Sequence, residues 1–229
     1  MFEIIIWIIG TLFAVTLITS FSKKMGPSLM IGVYASLIVM AQIFATKMVM
    51  FGNLVVPGAV VFYAVTYLIT DALSEFYGEE YAKKAVYTGL ASCLMLILGV
   101  QLLIQWTPAD FWTYQTELEI ILDNTWRITL ASMLAYFVSQ RWDVFSFNWL
   151  KRKTKDKHLW LRNNASTLSS QAIDTVLFIG IAFAFTMDTK ELLMLMFGQY
   201  LVKVIIALMD TPFIYIMKAV FNKKVVKGT

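Results

Sequence analysis

The chain of 229 residues is 59% hydrophobic and only 15% charged, with a mean hydropathy of +0.70, which excludes a soluble globular domain and indicates an integral membrane protein. Its net charge of +4 comes from clustered Lys and Arg, a pattern that implies contact with anionic lipid headgroups and not with nucleic acid. The sole cysteine, Cys93, and the sole histidine, His158, rule out a disulfide within the chain and argue against a metal cluster.

Residues 4–22, 25–46, 48–70 and 85–109 carry no charge, and each run reaches the roughly 20 residues that a spanning helix needs. Seven spans are expected, over residues 3–22, 28–50, 55–76, 83–106, 125–149, 166–187 and 191–217. They form an all-α compact helical bundle, one transmembrane domain over residues 1–229. The first span carries Glu3 and has neither a basic leader nor a small-residue cleavage site, so it reads as a retained helix and not a signal peptide.

After the second span, whose Lys47 can snorkel, come Gly52, Asn53, Pro57 and Gly58. They form either a tight extracellular turn or a locally unwound mouth that lines the pathway. In the third span Tyr67, Asp71 and Glu75 recur every four residues and share one helical face. Asp71 falls in the inner half of the membrane, while Glu75 is expected at the cytoplasmic interface, paired with Lys83 or Lys84. The loop 107–124 mixes acids with aromatics and suits an interfacial helix, with Trp112, Tyr114 and Trp126 as an aromatic belt.

The fifth span places Ser139, Gln140 and Asp143 within one turn, and the helices around Asp143 offer Lys203 or Arg141 as partners. A buried ion pair and a substrate contact are equally open for Asp143. Asn163, Asn164 or Ser166 can cap the sixth span, along which Thr167, Gln171, Asp174 and Phe178 line one face. So many hydroxyl and amide groups must meet protein or a wet cavity, not lipid. The seventh span carries Gln199, Lys203 and Asp210 on one face, and Lys203 near mid-membrane must be paired or deprotonated. A carboxylate in hydrocarbon costs roughly 3 kcal/mol on insertion scales, so such residues mark an ion or solute path. The expected function is transport.

Lys23, Lys24, Lys83, Lys84, Lys151, Arg152, Lys153, Lys155, Lys157, Arg162, Lys218, Lys223, Lys224 and Lys227 all fall on one side of a seven-span topology. The loop 107–124 on the other side has acids and no base, so the N-terminus is expected outside and the C-terminus in the cytoplasm, with 218–229 as a basic tail. No GxxxxGK[ST], GxSxG or HExxH motif occurs, so neither ATP hydrolysis by that route nor other enzyme activity is expected, and no cofactor.

The segments PGAVVFYAVTYLITDALSEFYG, LASMLAYFVSQRWDVFSFNWLKRKT and WLRNNASTLSSQAIDTVLF resemble the queuosine precursor transporter family. The resemblance covers roughly residues 40–215 and is carried by the combination TDxLxExYG, SQxxDVxxF and STLxSQxxDT. It implies import through the inner membrane of 7-deazaguanine bases such as preQ0, preQ1 or queuine, used in tRNA modification, by a solo facilitator or an ion-coupled carrier. It also implies a fold like the six-span substrate-binding subunits of energy-coupling-factor importers, with residues 28–217 as that core and 1–27 as an added helix. The alternative is such a subunit, dependent on a separate ATPase complex. Ala41 and Ala45 are similar to the AxxxA motif by which those subunits dock. Expected partners are the deazapurine, membrane lipid, and a second copy of the chain or an energy-coupling module.

A deazaguanine is planar, with an N–H and an exocyclic amine on one edge, which a carboxylate accepts together. Asp174 or Asp71 is expected at this donor edge and Gln171 or Gln140 at the carbonyl. Phe178, Trp126 or Tyr67 would stack, and Lys203 would neutralise a cavity carboxylate.

Overall fold

Among the described residues of the computed structural model (2–45, 47–52, 54–122, 126–183 and 188–222) the chain forms eight helices and one hairpin. The helices are α1 (Phe2–Met25), α2 (Pro27–Phe44), α3 (Val60–Phe76), α4 (Glu79–Gln105), α5 (Gln115–Leu122), α6 (Trp126–Lys153), α7 (Leu159–Phe183) and α8 (Thr189–Asn222). Between α2 and α3 lie β1 (Met48–Phe51) and β2 (Leu54–Pro57), paired antiparallel.

Apolar runs set the helices, and glycine with proline sets two of the breaks. Gly26, at φ 87°, hands α1 to α2, whose first residue is Pro27, where a missing N–H leaves nothing unbonded. Gly78, at φ 98°, separates α3 from α4, and its amide donates back to the Leu73 carbonyl at 2.9 Å.

The second expected span, 28–50, ends as a helix at Phe44. The chain then enters the β-hairpin, where the β-branched Val49 and Val56 sit opposite each other across the strand pair. Val56 is buried in the core, and the Gly58 amide donates to the Lys47 carbonyl at 2.7 Å. The region is therefore a hydrogen-bonded turn, not an unwound mouth with free backbone groups. Asn53 lies outside the described residues.

α3 is the axis of the bundle. It packs against α1, α2, α4, α6, α7 and α8, and 13 of its 17 residues are buried, as a helix enclosed on all sides requires. α4 closes on α2 and α6 at Gly89, where a Cβ would collide with the Tyr136 hydroxyl and the Tyr34 ring.

Burial is inverted relative to a soluble protein. Trp7, Leu98, Trp106, Phe111 and Met194 point outward, while Asp71, Asp143, Arg162, Asn163 and Gln171 are buried. Apolar side chains cost nothing against hydrocarbon, and polar ones must be satisfied inside. The protein is an all-α multi-pass membrane protein. By length and composition α1, α2, α4, α7 and α8 can each cross a membrane. α3 has only 17 residues, and α6 carries Arg141, Asp143 and a basic last turn, so the count of seven spans rests on these two.

α6 and α7 form a long hairpin whose loop, 154–158, is far shorter than the expected 150–165. Lys155, Asp156 and His158 make the turn at φ 49°, 61° and 56°. α7 begins at Leu159, so Asn163, Asn164 and Ser166 lie inside the helix and do not cap it. The short helix α5 falls where an interfacial helix is expected, and Trp112 and Tyr114 make an exposed edge-to-face pair at 5.6 Å. The side chain of Trp126, expected in the belt and as a stacking partner, lies outside the described residues, as do residues 223–229 of the basic tail.

Candidate substrate cavity

Polar layers cross the bundle along α3, one turn apart, at Tyr63, Tyr67, Asp71 and Glu75. Beside the uppermost lies a cavity of about 70 Å³, lined by Gln42, Tyr63, Asp174, Phe178, Gln199 and Lys203. Ala41, Ala45, Ala59 and Ala135 line it too, and their small side chains leave the space open. Ala41 and Ala45, the docking-like pair of the sequence, thus face this interior.

Asp174 organises the cavity floor. Its Oδ1 accepts from the Tyr63 hydroxyl at 2.7 Å and from Ser139 at 3.2 Å, and its Oδ2 accepts from the Lys203 Nζ at 2.6 Å. Lys203 also donates to the Thr175 hydroxyl at 3.2 Å and stands 5.5 Å from the centre of the Tyr63 ring. Tyr67 donates to Ser139 at 3.1 Å and so supports the layer from below. The spacings on α7 (Asp174, Phe178) and α8 (Gln199, Lys203) put each pair on one face, one turn apart. Gln199 is buried, and its Oε1 has no partner in the protein. A buried acceptor left so costs about 1–3 kcal/mol, which a ligand donor would recover.

One turn down, Asp143 accepts from Thr70 at 3.1 Å and Ser170 at 3.0 Å, and Asp71 accepts from Thr167 at 3.4 Å. Neither expected cation reaches Asp143. Arg141, two residues away, points to the opposite side of α6, exposed, and donates to the Tyr87 hydroxyl. Lys203 is taken by Asp174. Gln140 donates to Thr66 at 3.0 Å, Asn163 donates to Asp210 at 2.9 Å, and Gln171 is fully buried with neither amide atom partnered.

At the basic end, Glu75 binds Arg162, Lys218 at 2.7 Å and Lys151 at 3.3 Å. It does not pair with Lys83 or Lys84. The break at Gly78 carries α4 away from Glu75, and Lys83 bonds Glu79 at 3.0 Å and Glu80 at 3.1 Å instead. Arg152 also reaches Glu79, and Lys23 donates to the Val220 carbonyl. Lys151, Arg162 and Lys218, which the sequence places on one side, therefore meet at Glu75, at one end of the bundle.

Of the residues singled out by sequence, Asp174, Phe178 and Lys203 line the cavity, and Tyr67 adjoins it through Ser139. Asp71, Gln140, Asp143 and Gln171 lie outside its lining. Tyr63 and Gln42 were not anticipated. Tyr63 extends the Tyr67–Asp71–Glu75 stripe by one more turn, a signal present in the sequence, whereas Gln42 is one polar residue in an apolar run. Gln199 shares the face of Lys203, but that spacing alone assigns it no ligand role.

An apolar exterior around a polar, charge-paired interior with a cavity defines a multi-pass membrane protein. Residues 57–217 match the family model described as "Putative vitamin uptake transporter". The chain is 33% identical over 222 residues to a protein of Bacillus subtilis (strain 168) named "Probable queuosine precursor transporter", covering 95% of this chain and 96% of that one. A protein of the same name from Haemophilus influenzae (strain ATCC 51907 / DSM 11121 / KW20 / Rd) is 27% identical over 145 residues, 62% of this chain and 59% of that one. The chain belongs to the queuosine precursor transporter family of vitamin-uptake transporters. No solved structure matches it.

Proposed function

We propose that the protein imports a queuosine precursor, a 7-deazaguanine base such as preQ0, preQ1 or queuine, through the inner membrane without an ATPase partner. Its N-terminus faces outside and its C-terminus the cytoplasm, so the basic end with Glu75 faces inward and the cavity lies towards the hairpin end. The names of the relatives support the substrate class. The observation that carries the site is the buried Asp174–Lys203 pair beside the unpartnered Gln199 Oε1.

Asp174 keeps acceptor capacity on Oδ2, because a carboxylate offers about four lone-pair sites and three are used. It and Gln199 Oε1 accept the ring N–H and the exocyclic amine, while Lys203 or Gln42 donates to the carbonyl. Tyr63 and Phe178 supply ring faces. A cavity of about 70 Å³ is below the roughly 300–1,000 Å³ of ligand pockets, so a bicyclic base enters only when a wall such as Phe178 swings aside.

Proteoliposomes holding only this chain should take up radiolabelled queuine, and the purified protein should bind it in detergent. Tight binding with no flux under any gradient would replace the solo carrier by a substrate-binding subunit that needs an energy-coupling module. Neither binding nor flux for any deazaguanine would reject the substrate assignment.

A further inference from the structure

The layer below the cavity contains more acid than the substrate site uses. Asp71 and Asp143 are fully buried, and Asp210 is 1% exposed. Among the described residues no Lys or Arg forms an ion pair with any of the three. Lys203 is held by Asp174, and Arg162, Lys151 and Lys218 are held by Glu75. The donors to this layer are neutral: Thr70 and Ser170 to Asp143, Thr167 to Asp71, and Asn163 to Asp210. The titratable groups facing the pair are Tyr34 from α2, Tyr67 from α3, Asp210 from α8 and, one turn up on α7, the Lys203-bound Asp174. Three negative charges without a counter-ion are not stable together in a water-poor layer, so protons must serve as the counter-ions.

A second observation ties this layer to the cavity. Gln171 is fully buried with both amide atoms unpartnered, and the Asp71 Oδ1 is unpartnered as well. Gln171 shares the α7 face between Thr167, which bonds Asp71, and Asp174, which lines the cavity. It can both donate and accept, which a step between the two carboxylate layers requires.

We propose that Asp71 and Asp143 form the coupling-proton site of this transporter: one proton enters with each base, carried on the Asp71–Asp143 pair while the base occupies the Asp174 cavity. The assignment rests on the transport reading above. Uptake of one proton from the outer side reduces the negative charge of the pair by one, and its release on the inner side restores the carboxylate.

The test uses proteoliposomes of the full chain, radiolabelled queuine and a trapped pH-sensitive dye. The wild type should exchange external for internal base by counterflow. It should also accumulate the base about tenfold per unit of inward pH gradient, with acidification of the lumen as base enters. Asp71→Asn and Asp143→Asn should keep counterflow within about twofold and lose both the accumulation and the acidification. Wild-type counterflow without acid-driven accumulation, accumulation driven by sodium instead, or unimpaired accumulation in both variants would overturn the assignment alone. If neither variant folds, the wild-type dye trace decides, and base entry without acidification overturns it. Absence of counterflow from the wild type would overturn the transport reading and this site with it.

Discussion

Asp174 and Glu75 are both carboxylates held by cations, but their surroundings differ in charge balance and access. Asp174 meets one cation, Lys203, and two hydroxyls, all inside the bundle and beside a cavity. Glu75 meets three cations, from α6, α7 and α8, at the end where the basic loops gather. The first arrangement is neutral and leaves acceptor capacity that a ligand can use. The second is net positive and ties three helix ends to α3, the work of a fastening and not of a binding site. On the proposed function, an ion pair serves a solute here only where it adjoins space and an unsatisfied polar group.

The comparison is tested most severely at Lys203. Lys203→Met strands Asp174 as an uncompensated buried charge and should destabilise the protein by about 3–5 kcal/mol. The double variant with Asp174→Asn should recover most of that loss in unfolding measurements on the detergent-solubilised protein. Strictly additive losses would mean that the two residues do not act as a pair. Next in size is Glu75→Gln, which deprives Lys151, Arg162 and Lys218 of their shared counter-ion. The cost should be about 1.5–3 kcal/mol, the scale of one charged hydrogen bond, because the two lysines retain contact with water. Queuine affinity should stay within about twofold. A large loss of affinity would erase the distinction between the two sites.

Much of this contrast is legible in the sequence. The helical periodicity of α7 puts Asp174 and Phe178 on one face, and the cost of a lone mid-membrane cation already demands a partner for Lys203. Which acid it takes is not legible, since linear spacing says nothing about how α8 is rotated against α6 and α7. Spacing leaves Lys203 open to Asp143 as a partner, and packing gives it to Asp174. The hairpin at 48–57 escaped because a charge-free apolar run satisfies helix and strand alike. The start of α7 was hidden because LWLRNN follows a basic stretch, so its two asparagines read as caps although both lie inside the helix and bond α8.

The third variant separates binding from stability. Asp174→Asn keeps the shape of the side chain and one acceptor oxygen but removes the charge. It should weaken queuine binding at least tenfold, or about 1.4 kcal/mol, in equilibrium binding on the folded protein. Unchanged affinity would turn Asp174 into a packing residue and transfer recognition to other polar groups of the wall, such as Gln199 and Gln42.

The smallest effect belongs to Arg152. Its pair with Glu79 spans 2.9 Å, a geometry comparable with the Lys203–Asp174 pair, yet its side chain is 62% exposed and Glu79 is also held by Lys83. Water screens both partners, and a flexible arginine loses rotamer freedom to make the contact, so Arg152→Ala should change stability by less than about 1 kcal/mol. A similar distance thus predicts a severalfold different cost at the two places, because one pair is buried and the other is exposed, with Lys83 left to hold Glu79. If Arg152→Ala cost as much as Lys203→Met, depth in the bundle would have no bearing on the energy of these pairs, and the reading of Asp174 as a sheltered, ligand-accessible carboxylate would lose its physical basis.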